Sequence, residues 1–316
     1  MHYPRIIGTG SYLPEKILSN ADLERKVETS DSWIIERTGI SERRVMGEGE
    51  TVAMMAEKAA RQALAAAHLD AKDLDLIIVA TCTAGQAMPS AACLLQAALG
   101  VMPCPAFDLN AACSGFIYGL SVAEQYIRSS GAKTVLLVGS DALTRIVDWT
   151  DRGTCILFGD GAGAVVLQAN EKPGIWGTHL YADGSKTEIL HTTANLNPQQ
   201  PCHIKMKGNE VYKLAINTLA GLVQEMLTKY NMLAADVKWL VPHQANWRII
   251  QATAKALGMS MDRVVVTLQN QGNTTAASIP LALDTAIRDG RIQRGDVILL
   301  EAFGAGLTWG ASLITY

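Results

Sequence analysis

No stretch of this sequence approaches the roughly 18 uninterrupted apolar residues that cross a bilayer, although 49% of its 316 residues are hydrophobic. No membrane partner is therefore expected. Positive charge is not in excess either: 27 lysines and arginines face 30 aspartates and glutamates, a net charge of −3. No global field draws nucleic acid or an anionic surface to such a chain. The opening MHYPRIIGTGSYLP lacks the charged and then long apolar segments of a secretion signal. The six cysteines include no C-x-x-C pair, and none is grouped with histidines at zinc-finger spacing, which argues against a structural metal. Such thiols predict a reduced, cytoplasmic protein without disulfides. No Pro- or Ser-rich linker interrupts the chain, so its units should share one rigid interface.

What is present is a repeat. "DLDLIIVATCTAG" (73–85) reads as a buried strand, a loop and then a helix ending at Leu99-Gly100. "DVKWLVPHQAN" (236–246) does the same, with its helix ending at Leu257-Gly258. "NAACSGFIYGLSVAEQYIRSSGAKTVLLVGSD" (110–141) and "NQGNTTAASIPLALDTAIRDGRIQRGDVILLEAFG" (270–304) each give turn, helix and strand. "FGDGAGAVVLQ" (158–168) parallels "FGAGLTWGASLIT" (303–315), each a Gly-rich turn entering an apolar strand. Strands that run almost wholly apolar, such as 134–138 and 297–300, belong in sheets covered by helices on both faces. The expectation is an α/β protein: two duplicated halves, residues 1–170 and 171–316, packed as a five-layer αβαβα sandwich.

This alignment sets Cys113 of the first half opposite Asn273 of the second, with His243 at the carboxyl end of a strand, where open α/β sheets place ligands. A pseudo-twofold axis brings the three to one seam. Small residues precede Cys113, and Ile117, Leu120, Val122, Ala123 and Tyr126 follow at helical spacing. That puts the cysteine near a helix N-terminus, which favours a thiolate. For the other five cysteines the packed-core reading is accepted. A thiolate, a neutral histidine and an asparagine amide suit acyl transfer through a thioester. Backbone N–H groups of "FGAG" (303–306) are candidates for an oxyanion hole. His243 Nε2 and the Asn273 amide can donate to a second thioester carbonyl and stabilise the enolate left by decarboxylation.

The chain resembles β-ketoacyl-acyl carrier protein synthase III of the thiolase superfamily through "GTGSYLPEKILSN", "TSDSWIIERTGISERR", "ACSG", "DRGTCILFGDGAGA", "VPHQAN", "NQGNTTAASIP" and "AFGAGLTWG". The resemblance implies the thiolase-like sandwich and a homodimer. It implies that an acyl-CoA, usually acetyl-CoA, loads Cys113. Malonyl-acyl carrier protein then decarboxylates and condenses, initiating fatty-acid synthesis. Acyl-CoA is a substrate, and no cofactor is implied. Trp33 and Arg152 match the pair that sandwiches the CoA adenine, with Thr29 beside them. Asn246 and Gly208 match contacts to the pantetheine arm. Phe303 packs over the nucleophile, and the Cys113 and Ala305 N–H groups form the oxyanion hole. The family often has glycine where Ala305 stands. It often has phenylalanine where Met88 stands, capping the partner subunit's acyl pocket, so the slimmer methionine suggests primers longer than acetyl.

"GDGAGA" (159–164) leads into a strand rather than a helix and fails as a dinucleotide fingerprint. Arg248, Lys213 and Lys255 are candidate contacts for the acidic carrier protein, a solvated charged face being the alternative. A related synthase of secondary metabolism and a Cys-His-Asn hydrolase are the rival functions; a thiolase would need a second active-site cysteine.

Overall fold

Where the sequence runs apolar without interruption, the computed structural model builds strands buried on both faces. It describes residues 3–193 and 201–316. The first sheet holds β1 (Tyr3–Tyr12), β2 (Leu76–Ala80), β3 (Ala106–Leu109), β4 (Thr134–Ala142) and β5 (Asp160–Asn170), in the spatial order β1-β5-β4-β2-β3. The second holds β6 (Ile175–Ala182), β7 (Trp239–Pro242), β8 (Val297–Gly304) and β9 (Thr308–Thr315), ordered β6-β9-β8-β7. Strands β2, β3 and β4 are parallel, as are β7 and β8. The remaining pairings in both sheets are antiparallel.

Among the described residues seven helices of eight residues or more position the rest: α1 (Asp31–Thr38), α2 (Val52–Ala67), α3 (Ala91–Leu99), α4 (Gly115–Arg128), α5 (Gly208–Lys229), α6 (Trp247–Ala256) and α7 (Ser278–Arg288). Their ends follow from local chemistry. Ser90 caps α3 by accepting the Cys93 N–H at 3.1 Å, and Gly100 ends it at φ 71°, a left-handed position that suits glycine. No helix among the described residues is long and apolar enough to cross a membrane.

Alternate strand residues sort into separate cores, as the two-residue period of a strand requires. Ile77, Val79, Leu136 and Val138 pack with α2 and α3 on the outside. Their neighbours Leu76, Ile78, Val135 and Leu137 face inward, joining α4 and α7. From the other side Val241, Ile298 and Leu300 enter that same central core. Leu240, Leu299 and Leu313 face α5 and α6. The result is the thiolase-like five-layer αβαβα sandwich. Close packing at its centre depends on Gly139, where a Cβ would lie 2.3 Å from the Ala276 carbonyl oxygen.

The element order repeats. β1-α2-β2-α3-β3-α4-β4-β5 is followed by β6-α5-β7-α6, an isolated parallel bridge between Leu240 and Val264 in place of a fifth strand, and α7-β8-β9. This correspondence corrects the sequence alignment at one point. Short 3-10 turns at Ala112–Ser114 and Thr275–Ala277 precede α4 and α7, and their first residues share a left-handed backbone, φ 46° and 49°. The Ala112 N–H donates to the Asn110 side chain at 3.2 Å, and the Thr275 N–H to the Asn273 side chain at 2.9 Å. Asn273 therefore corresponds to Asn110, and Cys113 to Ala276. Cys113 and Asn273 meet at the seam but are not a symmetric pair.

Candidate active site

Between β3 and α4 the chain reverses through Ala111-Ala112-Cys113-Ser114, and neighbours from the other half fix the turn. Ser114 Oγ donates to the Thr308 carbonyl at 2.9 Å, and Thr308 Oγ1 donates to the Ala111 carbonyl at 2.9 Å. The end of β8 presses on the same turn. A Cβ at Gly304 would stand 2.8 Å from the Cys113 nitrogen, so only glycine permits this approach. Cys113, buried at 7% exposure, lines a cavity of about 740 Å³ that also receives His243, Asn273, Phe303 and Ala305. Neither the Cys113 nor the Ala305 N–H donates to another residue's oxygen among the described residues. The expected thiolate meets an opposing effect. Burial pushes the Cys113 thiol up to about 12, with the Asp141 charge adding to it. The resting group is a thiol that must lose its proton as it attacks.

His243 follows the last residue of β7, and its own N–H is held by the Glu301 carbonyl at 2.8 Å. Burial pushes its imidazole down to about 3, so the ring is neutral. Ser278 Oγ lies 2.6 Å from Nδ1 and accepts the Gln244 N–H at 3.2 Å. The Ser278 hydroxyl can donate to Nδ1, and in that tautomer Nε2 carries the ring N–H. That Nε2 is buried and has no partner among the described residues. Asn273 is fixed between the halves: its N–H donates to Leu157 at 2.8 Å and its carbonyl accepts from Gly159 at 3.0 Å. Since its Oδ1 accepts the Thr275 N–H, the Nδ2 group is the donor left over. The cavity thus presents a thiol, two unengaged backbone N–H groups and two side-chain donors. Such a set can acylate a sulfur and hold a negative oxygen.

At the mouth, Trp33 carries two guanidinium groups on its ring, Arg37 at 4.6 Å and Arg152 at 4.9 Å from the centroid. Arg152 also donates to the Glu28 carbonyl at 2.8 Å, beside Thr29, whose hydroxyl is buried without a partner among the described residues. With Trp33 and Arg152 in contact, a base can enter between them only by parting them. Gly208 at the start of α5 and Asn246 at the cap of α6 both line the cavity. The Asn246 side chain is already engaged, accepting from Arg248 N at 2.8 Å and donating to the Arg37 carbonyl at 3.0 Å. Arg248 lines the cavity and stacks 5.1 Å from the Tyr212 ring centroid. Lys213 and Lys255 are exposed outside it. Met88 is 83% exposed and does not line the cavity of its own chain.

Several neighbours were not read from the sequence. Ser278, Asp141, Arg37 and Glu301 all act on the site through partners distant in the chain, and nothing local marks them. Three cysteines depart from the packed-core expectation, Cys202 among them because it is only half-buried in a loop. Cys93 is exposed, and Cys82 lines the cavity, because it lies in the loop leaving β2 rather than within a strand. No three His, Cys, Asp or Glu residues group as metal ligands among the described residues.

Duplicated α/β halves closing on this cavity define a thiolase-fold condensing enzyme, an acyltransferase. The family models described as 3-oxoacyl-[acyl-carrier-protein] synthase III and its C-terminal part match residues 107–184 and 227–316. The chain is 57% identical over 317 residues to β-ketoacyl-[acyl-carrier-protein] synthase III of Citrobacter koseri, covering 99% of this chain and 100% of the relative. It is 55% identical over 322 residues to the protein of that name from Thioalkalivibrio sulfidiphilus, with 100% of both covered. The crystal structure of 3-oxoacyl-[acyl-carrier-protein] synthase III from Aquifex aeolicus VF5 superposes with a TM-score of 0.95 at 49% identity, covering 99% of this chain and 100% of that one. The chain belongs to the β-ketoacyl-[acyl-carrier-protein] synthase III family.

Proposed function

We propose that Cys113 receives the acyl group of an acyl-CoA as a thioester and that malonyl-acyl carrier protein then condenses with it, initiating fatty-acid synthesis. The observation that carries this reading is the convergence of the buried Cys113 thiol with two unengaged side-chain donors in a single cavity. In the first stage the Cys113 sulfur attacks the acyl carbonyl, and the N–H groups of Cys113 and Ala305 hold the oxyanion. CoA leaves as the thiol, taking up the proton that Cys113 gives up. In the second stage His243 Nε2–H and Asn273 Nδ2–H bind the malonyl thioester oxygen, whose negative charge grows as carbon dioxide departs. The enolate carbon attacks the acyl group on Cys113 and yields a 3-oxoacyl-carrier product. Phe303 supplies an apolar wall, which disfavours the carboxylate and favours its loss. This chemistry requires no cofactor.

We assign Trp33, Arg152 and Thr29 to the nucleotide end of CoA, and Gly208 and Asn246 to its arm. Residues 1–170 and 171–316 are taken as the two halves, since the first sheet draws every strand from residues 3–170 and the second from 175–315. The exposed Met88 is consistent with a cytoplasmic homodimer in which it reaches a partner's acyl pocket. The synthase names of the curated relatives favour fatty-acid initiation over secondary metabolism and over hydrolysis.

Intact-protein mass spectrometry after exposure to a panel of acyl-CoAs tests the reading. One acyl increment is expected, mapping to the Cys113 peptide, and its ranking across the panel identifies the primer. No increment from any acyl-CoA would sink it. For the carrier surface, Arg248→Glu is expected to raise the KM for malonyl-carrier about tenfold, with acyl-CoA loading barely altered. Equal effects on both substrates would remove Arg248 from that surface.

A further inference from the structure

We propose that Glu301 is the proton donor of the carbon–carbon bond-forming step, its buried carboxyl returning the Cys113 sulfur to the thiol. The inference rests on the functional reading above and deepens it. Glu301 sits on β8 opposite Pro242, its carbonyl holds the His243 N–H, and its side chain lines the same cavity as Cys113. It is 2% exposed. Its Oε2 is buried without a hydrogen-bond partner, and no cation pairs with it among the described residues. Burying a carboxylate oxygen with neither a donor nor a counter-ion favours the protonated form. Burial accordingly pushes Glu301 up to about 8.

The second stage has a use for that proton. As the enolate carbon bonds to the acyl carbon, the bond from that carbon to Cys113 sulfur breaks and its electron pair stays on sulfur. Carbon dioxide carries away no proton, so each condensation consumes one. His243 is neutral, with its N–H directed to the thioester oxygen, and the acylated cysteine has no proton to give. Glu301 transfers its own to sulfur and is reprotonated from solvent through the cavity mouth. The ionisable groups facing it are few. His243 comes from the end of β7, Cys113 from the turn before α4, and Tyr212 from α5. Ala311, opposite it on β9, cannot ionise, and α4 contributes no ionisable residue to the cavity. Arg37 and Arg248 at the mouth and Cys82 and His191 complete the set.

The carboxyl is protonated below about 8 and loses the proton above it, so condensation in the wild type should fall on the alkaline side. The test separates the two stages. Wild type and Glu301→Gln are loaded with acyl-CoA, followed by mass spectrometry, and then mixed with malonyl-carrier in a single turnover from pH about 6 to about 9. Loading is expected to change by no more than a few-fold, and condensation by about a hundredfold, with the alkaline limb lost in the variant. An infrared carbonyl stretch from a protonated carboxyl, absent in Glu301→Gln, should disappear from the wild type through the same pH range. Equal condensation rates and equal alkaline limbs in the two loaded proteins would overturn the role of Glu301 alone. Failure of the wild type to load would instead overturn the functional reading beneath it. Should the variant not fold, a flat alkaline profile in the wild type overturns the proposal without it.

Discussion

Alanine at His243 or at Asn273 is expected to slow decarboxylation of the malonyl group by about 10²- to 10³-fold, with acylation of Cys113 changed by less than about tenfold. The separation follows from the assigned protonation states. A histidine that donates its Nδ1 proton is poised as a base at Nε2, and its loss would cripple attack by the thiol. Burial keeps the ring neutral, and in the tautomer with Ser278 donating to Nδ1 the Nε2 is a donor and the thiol does not depend on it. Asn273 is a donor for the same reason, its oxygen being taken by Thr275. Both donors serve one oxygen, so the double variant should lose less than the product of the single losses. The measurement pairs carbon dioxide release from labelled malonyl-carrier with the mass increment on Cys113. A His243→Ala protein that decarboxylates normally but cannot be acylated would reverse the assignment and make the imidazole a base.

The layers were legible because their cause is local. In strands such as 134–138 every residue after Thr134 is apolar, and that pattern demands cover on both faces whatever the rest of the chain does. The duplication was legible in element order for the same reason. Its register was not, although "NAACSG" and "NTTAAS" both begin with asparagine. Matching chemistry by function, Cys113 to Asn273, displaced the alignment by three residues. The shared Asn–N–H turn and left-handed residue, visible only in the backbone, restore it. His243 and Asn273 could be singled out because the motifs around them are dense. Ser278 and Glu301 could not, since each depends on which strand end faces which turn. The pKa of Cys113 belongs with these. The sequence places a helix N-terminus beside the thiol, but the depth of burial and the Asp141 charge are properties of the assembled halves.

Asp141→Ala is expected to destabilise the protein by about 3–5 kcal/mol, a large fraction of an ordinary domain's stability. Asp141 is fully buried at the end of β4 and accepts from donors on two separate segments. From the loop after β2 come Thr81 Oγ1 at 3.0 Å, Cys82 N at 2.9 Å and Thr83 Oγ1 at 2.7 Å. The turn before α7 supplies Thr275 Oγ1 and, at 3.3 Å, Ala276 N. The hydroxyls cannot turn elsewhere for balance. Thr81 Oγ1 already accepts from Thr83 N, and Thr83 Oγ1 from Ala142 N, so their protons must point at the carboxylate. Burial pushes the Asp141 carboxyl up, and these donors pull it back. Removing the acceptor leaves several buried donors unpaired, each costing about 1–3 kcal/mol unless the site relaxes. By contrast Asp148, whose partners are the nearby Thr150 and the exposed Lys205, should barely move the midpoint on the same substitution. Urea unfolding of the two variants against the wild type distinguishes them, and equal midpoints would remove Asp141 from this role. Because it ties the cavity loop carrying Cys82 to the turn that follows Asn273, the folded fraction of Asp141→Ala should also be slow in condensation. The residue that holds the seam together is then the one that sets the distance across which Cys113 and Asn273 share a substrate.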